Sequence, residues 1–233
     1  MEYLLQTKGL IKTFIDGSQE TEVLKGIDLS IASGEFVAVT GASGTGKSTL
    51  LHQLGLLDDP TGGSVFIDGT NASDLSTVQR SEHRLRRFGF VFQDYALIPE
   101  LTAWENIALP VLMRGASRSL AKNRAVRALK QLGMEDRATY RPSQLSGGES
   151  QRVSVARAIV HKPDILFADE PTANLDSERS RQIIDIFHDL HKSGQTIVMV
   201  THEIEYAKEA TRLIVLHDGR VQQDKKLRRR RSR

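Results

Sequence analysis

The sequence predicts an α/β protein: a mostly parallel sheet with helices, an antiparallel β region before it and a helical lobe inserted into it. Three observations carry that reading. Short apolar runs of strand type, "FVAVT", "DILFADE", "QTIVMVTH" and "RLIVLHDG", alternate with helical patterns, as in parallel sheets that bind ligands at their strands' carboxyl ends. A glycine-rich turn, "GASGTGKST" at residues 41–49, joins the first run to a helix. From about residue 94 to 161 the pattern is helical, which predicts a lobe of its own.

Taken in order, residues 1–35 read as antiparallel strands: "YLLQTKGLIKTF", the polar turn "DGSQET", then "VLKGIDLSI" and the turn "ASGE". "FVAVT" has the length of a buried strand, and "STLLHQLGLL" reads as the helix after the turn. "GGSVFIDG" is a short strand bounded by glycines, followed by the helix "STVQRSEHRLRR" and the strand "FGFVFQ". In the lobe, "TAWENIALPVLMRG" shows an apolar face that Pro110 is expected to interrupt, and "SRSLAKNRAVRALKQLG" is amphipathic up to Gly133. "SGGESQRVSVARAIVHK" opens on a serine cap and two glycines. "DSERSRQIIDIFHDLHKSG" is a helix between strands, with Asp176 as its N-cap and Gly194 as its stop.

Composition bounds the function. With 233 residues, 39% of them hydrophobic, the chain can bury a real core. It has no cysteine, which excludes disulfides, thiolate metal sites and thiol catalysis. No apolar run is long enough to span a membrane, and the N-terminus lacks the layout of a signal peptide. The net charge of +3 hides an asymmetry: the last nine residues, "KKLRRRRSR", carry seven positive charges, which leaves residues 1–224 at −4. An acidic body argues against nucleic acid as a partner. The expected organisation is one domain over 1–224 and a basic, disordered tail over 225–233.

The chemistry concentrates in two motifs. The spacing of Gly41, Gly46, Lys47 and Ser48 is that of a P-loop, in which backbone amides cradle phosphates, the lysine reaches the outer ones and the hydroxyl helps hold Mg²⁺. Gly41, Ala42, Ser43, Gly44, Thr45, Gly46, Lys47, Ser48 and Thr49 are therefore the expected phosphate-binding residues. "ILFADEP" ends an apolar strand in two acids, which suits Asp169 as a ligand of the metal's water shell and Glu170 as the base that polarises an attacking water.

"LSGGESQR", residues 145–152, resembles the signature of the ABC transporter ATPase subunits. Ser146 and the amides of Gly147 and Gly148 would form a second anion-binding surface at a helix N-terminus. The resemblance implies that this surface serves the ATP on a second subunit, so that two cassettes close head to tail around two ATP molecules. It also implies roles for residues that fall in the family's order. Phe14 matches the aromatic that stacks on adenine. Gln93 matches the glutamine that reaches Mg²⁺ and the attacking water. Asp176, in "ANLD", marks a loop at the dimer interface, and His202 matches the histidine that contacts the γ-phosphate. Glu149 stands where glutamine is commoner, and Ala173 where glycine is usual.

Within the family, "FQDYALIPELTAWENIALPVLMRG", "VLKGIDLSI" and "GASGTGKSTLL" resemble the lipoprotein-release, macrolide-efflux and cell-division ATPases. That implies an ATPase held at the cytoplasmic face of the membrane by an integral membrane subunit with few spans and a large external domain. The work done is export of a lipoprotein, peptide or drug, or else a signal to a cell-wall hydrolase without cargo. "DYALIPELTAWEN" is the expected dock for that subunit.

Overall fold

β1 (Tyr3–Asp16) and β2 (Gln19–Ala32) form a long hairpin in the computed structural model, which describes residues 3–227. The two-residue turn is possible because Gly17 takes φ +60°. β4 (Gly62–Ile67) and β5 (Thr70–Asn71) extend the hairpin into an antiparallel sheet of order β2-β1-β4-β5. One face of that sheet is apolar. Its Leu5, Leu10, Leu24, Ile27, Val65 and Ile67 pack on α1 (Lys47–Leu54).

The second sheet holds β3 (Phe36–Thr40), β6 (Phe88–Val91), β7 (Ile165–Asp169), β8 (Thr196–Val200), β9 (Arg212–His217) and β10 (Arg220–Lys226), in the order β10-β9-β3-β8-β7-β6. All its pairs are parallel except the last hairpin, β9 with β10. The parallel strands are covered on both faces, which is why they read as unbroken apolar runs. Val37, Val39, Phe167, Val198 and Val200 face the antiparallel sheet and α1. Phe36, Ala38, Leu166, Ala168 and Met199 face the opposite way, onto Ile183, Ile184 and Phe187 of α6 (Ser177–Lys192). Each fully buried large side chain contributes about 1.5–3 kcal/mol, so this two-sided core fixes where the strand ends lie.

The helical lobe packs α3 (Ala103–Met113) and α4 (Arg118–Gln131) against α5 (Gly147–Ile159) through Ile107, Val111, Ala125, Leu129 and Val153. α2 (Thr77–Arg87) precedes β6, and the short α7 (Ile204–Ala207) follows β8. Side chains cap most helices: Ser76, Ser117, Ser146 and Asp176 each accept from an amide in the first turn. Among the described residues, no helix is long and apolar enough to cross a membrane.

Three expectations change. Pro110 does not interrupt α3; it lies inside it, since the buried row Ala103, Ile107, Ala108 and Val111 outweighs one missing N–H donor. α1 stops at Leu54 rather than running on, because Leu56 takes φ +55°. The folded part also passes residue 224: Lys226 pairs with Arg212 and Leu227 N–H donates to Thr211 O. The rest of the basic tail lies outside the described residues.

Candidate active site

The P-loop leaves β3 at Thr40 and enters α1 at Lys47. Two of its glycines are demanded by packing. A Cβ on Gly41 would sit 2.4 Å from Leu216 O, and one on Gly46, at φ +94°, would sit 2.9 Å from Leu24 Cδ2. No side chain caps the α1 N-terminus, so its first amides and the positive end of its dipole remain available to an anion. Lys47 is buried and donates from Nζ to Ala42 O at 3.0 Å, lying across the loop, while Ala42, Ser43 and Gly44 are exposed.

β7 and β8 bring the acids to this loop. Ser48 Oγ donates to Asp169 Oδ1 at 2.8 Å, and His52 Nε2 is 3.7 Å from Asp169 Oδ2. A hydroxyl and a carboxylate so placed are the hard oxygen donors that Mg²⁺ prefers, and that ion takes most of its remaining shell from phosphate and water. The pair therefore fits the ion. The next residue, Glu170, has φ +45°, a left-handed value uncommon for a side chain of this size. That turn sends its carboxylate to the segment just after β8, where Oε2 accepts from His202 Nδ1 at 2.8 Å and from His202 N–H at 3.2 Å. Lys47, Glu170 and His202, with Gly41, Ala42 and Ser43, line one cleft of about 690 Å³, within the range of ligand sites.

The remaining expected residues lie outside that cleft. Ser146 and Glu149 exchange bonds in a capping box: Ser146 Oγ accepts from Glu149 N–H at 3.3 Å, and Glu149 Oε2 accepts from Ser146 N–H at 2.8 Å. The Ser146 N–H and the Arg137 guanidinium, in that order, hold the Glu149 carboxyl down at about 2. Tyr95 Oη and Arg179 Cδ would each lie 2.9 Å from a Cβ built on Gly147 and Gly148 respectively, so close approach alone favours glycine there. Asn174 Nδ2 donates to Gln93 O at 2.9 Å, and Asp176 caps α6 and pairs with Arg179 at 3.1 Å. Gln93 is exposed, and its side chain makes no hydrogen bond to Ser48 or Asp169. Phe14 is 46% exposed, with Lys12 Nζ 5.0 Å from its ring centre. None of Phe14, Gln93, Ser146, Gly147, Gly148 and Asp176 lines the P-loop cleft.

Sequence reasoning missed His52 and the wall formed by Ile204, Leu213, Val215 and Gln223. His52 had a signal: it stands four residues after Ser48 on α1, hence on the same helix face. Gln151 carried none. Its buried amide donates to Pro171 O at 2.6 Å, tying α5 to the loop that follows Glu170.

A family model described as ABC transporter matches residues 24–173. The macrolide export ATP-binding/permease protein MacB 1 of Aeromonas hydrophila is 48% identical over 225 residues, covering 97% of this chain and 35% of that protein. The chain thus spans about a third of the macrolide export relatives it matches. The lipoprotein-releasing system ATP-binding protein LolD of Aquifex aeolicus is 50% identical over 200 residues, covering 86% of this chain and 89% of that protein. Among solved structures, the dimeric post-hydrolysis state of the ATP-binding cassette MJ0796, bound to ADP and Pi, superposes with a TM-score of 0.90 at 42% identity, covering 96% of this chain and 99% of that one. The chain belongs to the ABC transporter family and is an ATP-binding, ATP-hydrolysing cassette of it.

Proposed function

We propose that two copies of this cassette close head to tail around two ATP molecules and thereby drive an integral membrane subunit of few spans and large external domain. The work is export of a lipoprotein, peptide or drug by mechanical transmission. One observation carries the reading: Lys47, Glu170 and His202 line the P-loop cleft, with the bonded pair Ser48 and Asp169 on the adjoining α1 and β7, yet the amide-bearing end of α5 stands outside that cleft. A cassette with its own phosphate site and a spare anion surface is half of a symmetric pair. The dimeric cassettes among the solved relatives, and the names of the macrolide-export and lipoprotein-releasing relatives, support the same assignment.

In this reading the P-loop amides and Lys47 take the β- and γ-phosphates, and Phe14 offers its exposed face to the base. Ser48 and Asp169 would hold Mg²⁺, with Gln93 as a further oxygen donor; the ion would supply charge neutralisation at the phosphate oxygens. Glu170 orients and polarises the attacking water, while His202 holds that carboxylate in place and meets the γ-phosphate. Ser146, Gly147 and Gly148 of the second copy close over the same phosphate, and Asp176 lies at the joint. Hydrolysis removes the γ-phosphate contacts that favour closure, and the pair reopens.

The Glu170→Gln variant tests the chemistry. Nucleotide titration should show ATP binding close to wild type, while phosphate release falls by about 10²-fold or more, the usual size of a lost general base. Turnover at the wild-type rate would remove Glu170 from the mechanism.

A further inference from the structure

A second cleft, larger than the P-loop cleft, lies elsewhere among the described residues. It has a volume of about 1120 Å³ and opens at the amino ends of β6, β7 and β8, where Arg87, Asp164 and Thr196 line it. These strands run parallel, so this is the end of the sheet opposite to Asp169, Glu170 and His202. Strands of this length separate the two ends by roughly 15 Å. A ligand here does not touch the P-loop.

Five permanent cations converge on the cleft: Arg87 at the end of α2, Arg114 after α3, Arg124 and Arg127 on α4, and Lys162 after α5. Its two carboxylates, Asp68 and Asp164, are both taken by Arg87. Arg114 donates to His161 O at 2.8 Å and meets no carboxylate, and Arg124, Arg127 and Lys162 form no ion pair among the described residues. Arg124 and Arg127 stand three apart on α4 and hence on one face, both exposed. A body that is acidic overall thus gathers uncompensated positive charge at one concave place, which costs self-repulsion that an anion relieves. The wall also holds His161, only 7% exposed. Its Nε2 lies 3.0 Å from Phe88 O, to which it donates, and Nδ1 is left as a buried acceptor without a partner.

We propose that this cleft binds a multivalent phosphate anion, held by the guanidinium groups of Arg114, Arg124 and Arg127 and by Lys162. Guanidinium forks match phosphate oxygens in geometry as well as charge. A protonated phosphate oxygen, or a water carried in with the anion, gives His161 Nδ1 its missing donor. The same chemistry is presented by a free polyphosphate and by the headgroup of an anionic phospholipid.

Calorimetric titration of the full chain, its P-loop first saturated with ADP, with inorganic tripolyphosphate tests the site. The expected result is binding that weakens at least tenfold in the Arg124→Glu/Arg127→Glu variant and in the independent Lys162→Glu variant, with basal ATP turnover within twofold of wild type. Should the double variant fail to fold, Lys162→Glu decides, since Lys162 follows α5 and is not part of α4. Co-sedimentation with phosphatidylglycerol vesicles, beside phosphatidylcholine vesicles, then separates the sources. Vesicle binding lost in the same variants identifies a headgroup as the natural occupant, and tripolyphosphate binding without vesicle binding identifies a free anion. No binding by the ADP-saturated chain, or equal binding by wild type and folded variants, overturns the proposal.

Discussion

At the scale of single residues, Glu149 shows how a departure from the usual signature is accommodated. Its carboxylate closes the capping box of α5 and pairs with Arg137, at 2.9 Å, so its charged form is favoured in the folded state. With a folded value near 2 against an ordinary 4.5, the stability it contributes is complete above about 4.5 and is lost as pH falls towards 2. The group is partly exposed, so screening reduces the contribution to about 1 kcal/mol. Glu149→Gln keeps the reach to the Ser146 N–H but loses the charge. Urea melts at pH 6 and pH 3 should therefore show a smaller acid-induced loss for the variant than for wild type; equal losses would take Glu149 out of the acid sensitivity. The neighbourhood of Lys47, Ser48 and Asp169 was legible because two motifs imply it, and Ser48 does bond Asp169. The Glu170–His202 bond was not, because it depends on a left-handed turn at Glu170 and on β7 and β8 being neighbours.

Among the elements, the segment from Gln93 into the first turn of α3 at Asn106 separates packing from exposure. Trp104 is buried in the lobe under Arg118 and Lys122, and Leu97 is partly buried against the same core. Ile98 is 41% exposed, and its backbone is clamped by Asn106, whose Oδ1 accepts from Ile98 N–H at 2.8 Å and whose Nδ2 donates to Ile98 O at 3.1 Å. Arg157 of α5 donates to the carbonyls of Tyr95 and Ala96, both at positive φ. The loop is thus rigid and presents one large apolar side chain. If it docks the membrane subunit, Ile98→Asp weakens co-purification with that subunit by about 2 kcal/mol or more, a hot-spot cost, and leaves nucleotide affinity unchanged. Leu97→Asp should instead lower the melting temperature. Unaltered co-purification of Ile98→Asp moves the dock elsewhere. The parallel strands and capped helices were readable because burial on two faces or a serine cap leaves a direct mark on the sequence. β10 was not: "RVQQDKK" is a polar edge strand, whose charges guard it from pairing with other chains. Its signal lay in Asp218-Gly219, both at positive φ, the turn that closes a two-residue hairpin.

Over the whole molecule, one sheet separates two clefts, with the P-loop cleft at the carboxyl ends of the strands and a basic cleft at their amino ends. Beyond Leu227 the sequence continues with five arginines and a serine. Deleting residues 228–233 should leave basal turnover within twofold of wild type, measured by phosphate release; a larger loss would place the tail in the catalytic cycle. The central claim is that the chain's own cleft is half a site. Light scattering on the Glu170→Gln variant with saturating ATP and Mg²⁺ tests it most directly. The account predicts a mass twice that of the monomer with ATP, the monomer mass with ADP, and no dimer when Ser146→Arg is added to block the α5 N-terminus. A variant that binds ATP to saturation and stays monomeric would contradict the head-to-tail pair.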